Sequence, residues 1–92
     1  MAYDLVWSPP FTRAARKFLR AQPELAQRFQ RTLSDLVQDP NQPHLRLHAL
    51  HGELEGMHAV RVTYAYRITL TLRLSEEHIE LVDIGSHDDV YR

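Results

Sequence analysis

The sequence predicts a single α+β domain in which a pair of helices covers one face of an antiparallel sheet, in the order β-α-α-β-β-β. Three observations carry this. A chain of 92 residues supplies one hydrophobic core and no second one, so one domain spans 1–92. Apolar residues in the first half recur at the i, i+3, i+4 spacing of amphipathic helices. After the breaker Asp39-Pro40-Asn41-Gln42-Pro43 the apolar period shortens to two, which is the period of strands. A composition of 43% hydrophobic and 25% charged residues with three Gly is that of a folded globule and excludes a disordered or collagen-like chain.

Taken in order, Tyr3 to Trp7 is a short β-prone run. Ser8-Pro9-Pro10 follows, where Ser caps and Pro occupies the first turn of a helix. Phe11, Ala14, Ala15, Phe18 and Leu19 then make an apolar stripe, with Arg13, Arg16, Lys17 and Arg20 on the other side, which predicts a helix over 10–21. Pro23 interrupts it. Leu25, Phe29, Leu33, Leu36 and Val37 resume the helical spacing, and the two helices are expected to form an antiparallel hairpin. From Ala59 to Leu74 the alternation of Val60 and Val62, then Ile68, Leu70, Leu72 and Leu74, predicts two strands joined at Thr63-Tyr64-Ala65. Ser75-Glu76-Glu77 is a second turn, and Ile79 to Ile84 a third strand. Residues 85–92 are expected to leave the sheet and make one helical turn.

The net charge of −1 excludes a strongly basic polyanion binder, but the total hides an asymmetry. Residues 1–32 carry +4 and residues 33–92 carry −5. Solvated Arg-rich helix faces are the ordinary reading of that asymmetry. The absence of cysteine excludes disulfides, thiolate nucleophiles and Cys-ligated zinc. Residues 1–7 lack a basic region followed by an apolar one, and Arg61, Arg67 and Arg73 interrupt the most apolar stretches. Neither a signal peptide nor a membrane span is expected, and the cytoplasm is the expected compartment.

Six histidines in 92 residues are many, and each can change charge near neutrality. His87 and Tyr91 are four apart, so a helical turn would bring a proton-transfer group beside an aromatic platform. That pair suits RNA cleavage, where a base is stacked and a proton moves at the phosphate. The same two residues also suit a chain end that packs by its Tyr and caps by its His. Arg61 and Arg67 flank the predicted hairpin turn. A guanidinium matches phosphate bidentately and stabilises a pentacoordinate phosphorane, though arginines on exposed strands are common. His44 and His48 are i, i+4, yet the spacing fits no compact zinc signature and no metal or other cofactor is expected. Arg46 and His48 are instead candidates for a phosphate-binding patch, or simply solvated loop residues.

These elements and motifs together resemble the RelE/ParE superfamily of toxins from bacterial type II toxin-antitoxin modules. The resemblance runs from the strand and two helices through Leu50-His51-Gly52-Glu53-Leu54-Glu55-Gly56, Val60-Arg61-Val62 and Tyr66-Arg67-Ile68 to Leu81-Val82-Asp83-Ile84-Gly85-Ser86-His87-Asp88-Asp89-Val90-Tyr91. Its most specific part is the closing Gly-Ser-His-x-x-x-Tyr, which is similar to the YafQ-like and RelE-like mRNA interferases. The resemblance implies a toxin that cleaves mRNA, in most branches on the ribosome, and that a cognate antitoxin wraps and neutralises. DNA contact would come only through that antitoxin, and no membrane is involved. The implied chemistry is metal-independent attack of the ribose 2′-oxygen on the adjacent phosphate, with His87 as acid or base and Tyr91 at the base. Arg61 would contact the phosphate, Arg67 would support it, and His48 would match a His placed shortly before Gly52 and Gly56. Two positions depart from the YafQ-like pattern: Ala65 stands in place of an Asp, and Arg61 in place of a strand His. The alternatives within the superfamily are a ParE-like gyrase inhibitor and a weakened or inactive homologue retained for antitoxin binding.

Overall fold

A computed structural model of the chain describes residues 2–86. Its elements are β1 (Asp4–Trp7), α1 (Pro9–Ala21), α2 (Ala26–Gln38), β2 (His48–Ala49), β3 (His58–Arg61), β4 (Tyr66–Arg73) and β5 (His78–Ser86). Ser8 caps α1 by accepting a bond from the Phe11 N–H at 3.2 Å, and both prolines fall in the first turn, where no N–H is needed. The helix ends where the Gln22 N–H reaches back to the Phe18 carbonyl, and Pro23 opens a single 310 turn that leads into α2. After α2 the loop is tied back to it. Asp35 accepts from His44 Nε2 at 2.8 Å through its carboxylate and from Gln42 Nε2 at 2.9 Å through its backbone carbonyl.

The five strands form one sheet in the order β1-β5-β4-β3-β2. The hairpins β2-β3, β3-β4 and β4-β5 are antiparallel, as expected, whereas β1 lies parallel to β5, with Leu5 opposite Ile79 and Trp7 opposite Leu81. A parallel pair needs a long crossover, and the two helices provide the start of it. Side-chain period is the same in both pairing directions, so it could not reveal this. Strand β2, at two residues, is too short to show a period at all.

Phe11, Ala15 and Phe18 from α1 and Phe29 and Leu36 from α2 pack on Val60, Ile68, Leu70, Ile79, Leu81 and Ile84 of the sheet. Aromatic rings make up much of this layer: Phe11 stacks on Phe29 at 6.2 Å, and Trp7 meets Phe11, and Phe18 meets Tyr66, edge-on at 5.0 Å. A bulge lets β5 contribute fully. Thr69 faces Asp83 and Leu70 faces Leu81, so Val82 is the extra residue, and Leu81 and Ile84, three apart, both turn inward.

Two boundaries differ from the sequence expectation. Strand β4 ends at Arg73, and Leu74 is exposed at the start of a 310 turn that closes with Glu77 in a left-handed conformation. Gly85 and Ser86 do not leave the sheet but pair with Arg67 and Tyr66, because two more ladder positions are available on β4. Among the described residues no helix is long and apolar enough to cross a membrane.

Candidate active site

Register divides the sheet's side chains into two sets. Val60, Ile68 and Ile84 are cross-strand neighbours and face the helices. Their sequence neighbours Arg61, Arg67 and Gly85 are likewise cross-strand neighbours, and alternation turns them to the opposite, polar face. The next row on that face is His48, Ala59, Thr69 and Asp83, which are opposite one another on four successive strands. Adjacent rows are about 7 Å apart along the strands. The structure therefore brings Arg61, Arg67 and His48 onto one face, within two rows, from three separate stretches of sequence.

Two arginines directly opposite one another repel unless their heads part. Here they part. Arg67 is only 9% exposed, and its Nη1 donates to the carbonyls of Thr63 at 2.8 Å, Tyr64 at 2.9 Å and Tyr66 at 3.4 Å. It pins the β3-β4 turn, whose sequence has no Gly or Asn to form it by local preference. The backbone closes the same turn through Tyr66 N–H to Thr63, and the Thr63 hydroxyl accepts from the Ala65 N–H at 3.2 Å. Arg67, expected to contact phosphate, thus has its Nη1 committed to holding the turn. Arg61 goes the other way: its Cζ sits 5.8 Å from the centroid of the Tyr64 ring, and its buried Nε has no hydrogen-bond partner.

His48 lies exposed on the edge strand, and its Nδ1 donates to the Arg46 carbonyl at 2.7 Å. Because a carbonyl can only accept, that bond places the Nδ1 proton, and in the neutral ring the lone pair falls on Nε2. Arg46 presents its carbonyl this way from a left-handed conformation, φ 52°, which is uncommon for a residue with a side chain. Its own side chain is exposed. The link from β2 to β3 is a loop over residues 50–57 with a 310 turn at Gly52–Leu54, and in it Gly52 and Gly56 have φ of 71° and 91°, so the Gly-x-x-x-Gly spacing is a backbone requirement.

Strand β5 reaches this face at Gly85, one residue before its end. Gly85 occupies the row of Arg61 and Arg67, and Ser86 borders a hollow of about 470 Å³ shared with Lys17, Phe18 and Tyr66. His87 and Tyr91, the residues with the strongest sequence case, lie outside the described residues. Within them, the polar face offers a cation, a tautomer-fixed imidazole and Asp83, whose Oδ1 accepts from the Ile84 N–H at 2.8 Å. Of these groups the Arg61 guanidinium can bind an oxyanion, and the Nε2 of His48 can take a proton. Among the described residues no group of three or more His, Asp or Glu side chains could hold a metal ion.

Sequence reasoning missed three neighbours of Arg61. Tyr64 is 85% exposed at the tip of the turn, and Arg28 and Arg31 of α2 line the cavity that Arg61 borders. The i, i+3 spacing of the two arginines was the available signal, but only the tertiary fold sets them against β3.

No family model matches the chain, and no curated protein matches it in sequence. Solved structures do match in fold. The chain is similar to YafQ from E. coli strain BL21(DE3), with a TM-score of 0.80 at 13% identity over 98% of this chain and 99% of that one. It is similar to a YoeB/ParE toxin from Agrobacterium tumefaciens, with a TM-score of 0.75 at 17% identity over 91% of this chain and 98% of that one. A chain of the RelBE2 toxin-antitoxin complex from Mycobacterium tuberculosis matches with a TM-score of 0.66 at 21% identity, over 95% of this chain and 93% of that one. The fold is therefore that of the RelE/ParE toxins, close to YafQ, as the resemblance in the sequence implied.

Proposed function

We propose that the chain is the toxin of a bacterial type II toxin-antitoxin module, acting in the cytoplasm as an mRNA endoribonuclease associated with the ribosome. The observation that carries this reading is the superposition of 98% of the chain on YafQ, combined with the Arg61 row on the polar face at the end of β5. The next residue along the chain from β5 is His87. A cognate antitoxin is the expected protein partner, supported by the likeness to the toxin chain of the E. coli DinJ-YafQ toxin-antitoxin complex, with a TM-score of 0.78.

In the proposed reaction the ribose 2′-oxygen attacks the adjacent phosphorus, losing its proton, while the 5′-oxygen leaves and gains one. The products are a 2′,3′-cyclic phosphate and a 5′-hydroxyl, so no water and no metal enters the balance. His87 moves a proton at one of the two oxygens, Tyr91 stacks on a base, and Arg61 stabilises the extra negative charge of the phosphorane. His48 and Arg46 hold the strand through its backbone from the neighbouring row. Arg67 supports the site by fixing the turn beside Arg61. Ala65, exposed in that turn, brings no carboxylate, so proton transfer rests on fewer groups.

The test is a growth assay with induced protein. His87→Ala should relieve growth arrest while circular dichroism shows an intact fold, and primer extension should show cleaved messages only with the unmodified chain. A variant as toxic as the parent would remove His87 from the reaction. Intact messages together with inhibited DNA supercoiling would replace the ribonuclease reading by gyrase inhibition, and no growth defect at all would point to a homologue kept for antitoxin binding.

A further inference from the structure

The exposed side of α2, beside the turn between β3 and β4, sets two arginines that the reading above does not use against Arg61, which it does use. Arg28 and Arg31 stand one helical turn apart and, with Arg61, line a cavity of about 380 Å³ floored by Thr32 and Val62. The one carboxylate in the lining, Asp35, is engaged by His44 Nε2 at 2.8 Å. Among the described residues no acid pairs with Arg28, Arg31 or Arg61. The buried Nε of Arg61 lacks an acceptor, an arrangement that folded proteins rarely leave uncompensated. Mutual repulsion of three cations and an orphaned donor are both relieved by one kind of occupant, an oxyanion.

Beside this cavity stands Tyr64. Its ring is 85% exposed, in contact on one side with Arg61, and its backbone is clamped by Arg67. A fixed aromatic ring in solvent next to phosphate-binding cations is the pairing that single-stranded nucleic acid requires, since every base offers a face to stack. Strand β2 pairs with only His58 and Ala59, so no strand pairs with β3 at Arg61 on that side.

We propose that Arg28, Arg31 and Arg61 hold a phosphate of single-stranded RNA, with the adjoining base stacked on Tyr64. This rests on the ribonuclease reading and extends the RNA path from the polar face, around the edge of β3, to α2. An acidic peptide would satisfy the same cations but gives Tyr64 no use, and Val62 is the only aliphatic side chain in the lining.

The experiment uses the full chain and an eight-nucleotide single-stranded RNA with 2′-O-methyl groups, which cannot be cleaved by 2′-oxygen attack. Fluorescence anisotropy should show binding weakened about 5- to 100-fold by Tyr64→Ser. The double variant Arg28→Gln, Arg31→Gln should weaken binding and flatten its salt dependence, whereas Arg13→Gln, Arg16→Gln on α1 should change it little. In NMR, inorganic phosphate should shift the Arg61 Nε–H resonance saturably, and the Arg28, Arg31 double variant should abolish that shift. If the parent binds RNA and both the Tyr64 and the Arg28, Arg31 variants bind equally well, the subsite is overturned while the ribonuclease reading stands. If the parent binds no RNA, the subsite is overturned, and primer extension on cellular messages decides the ribonuclease reading separately. Displacement of the phosphate by an oligoglutamate peptide, with RNA binding indifferent to Tyr64, would overturn it in favour of an acidic protein partner.

Discussion

Val60, Ile68 and Ile84 on one side of the sheet and Arg61, Arg67 and Gly85 on the other belong to the same three strands and differ by one position in sequence. The first set is sealed under two helices and is interchangeable in kind with any aliphatic row. The second is a row of particular groups, one of them bent into the turn and one aimed at a ring. The helix-covered face makes the fold, and the polar face, with the turn that follows it, carries the candidate functional groups. Removing side chains from the two should therefore have unlike consequences.

The largest effect is expected on the covered face. Phe11, fully buried and in contact with Trp7 and Phe29, should cost about 3–5 kcal/mol when replaced by Ala, read as a lower urea midpoint. A loss near 1 kcal/mol would mean the aromatic layer is loosely packed and the contrast between faces overstated. Arg67 tests the polar face from within. Arg67→Met keeps much of the apolar stem but leaves the Thr63 and Tyr64 carbonyls without their donor, and should cost about 1–3 kcal/mol. Faster amide exchange at Ala65 and Tyr66 should accompany it. An unchanged stability would return Arg67 to the set of groups held ready for a ligand.

The covered face was legible in the sequence because burial imposes a period. Phe11, Ala15 and Phe18, then Phe29 and Leu36, announce their helices, and Ser8-Pro9-Pro10 announces where the first one starts. Replacing Ser8 by Ala removes the bond to the Phe11 N–H and should lower stability by about 1 kcal/mol, a third or less of the Phe11 effect. The polar face was legible only in part. Residue types named Arg61 and His48 as candidates, but their meeting depends on β2 pairing with β3, a two-residue ladder with no pattern of its own. Arg67 showed the reverse difficulty: its chemistry suggests a ligand, and only the position of the turn carbonyls reveals its partner. The β1-β5 pairing and the bulge at Val82 were hidden for a related reason, since both are properties of how strands meet and neither is a property of one strand.

The smallest effect separates a group that uses the fold from one that makes it. Tyr64 touches Arg61 and little else, and its position is set by backbone bonds that its own ring does not make. Tyr64→Ser should therefore change unfolding free energy by no more than about 0.5 kcal/mol, the range of exposed substitutions. An exposed cation-π contact contributes about 0.5–1 kcal/mol at most, so a loss of 2 kcal/mol or more could not come from the ring's contact with Arg61. That result would make Tyr64 a structural plug for the turn and remove the reason to see it as a platform. A near-zero change in stability, set beside the weakened RNA binding expected of the same variant, would make Tyr64 a residue that the fold carries at some cost in exposed apolar surface.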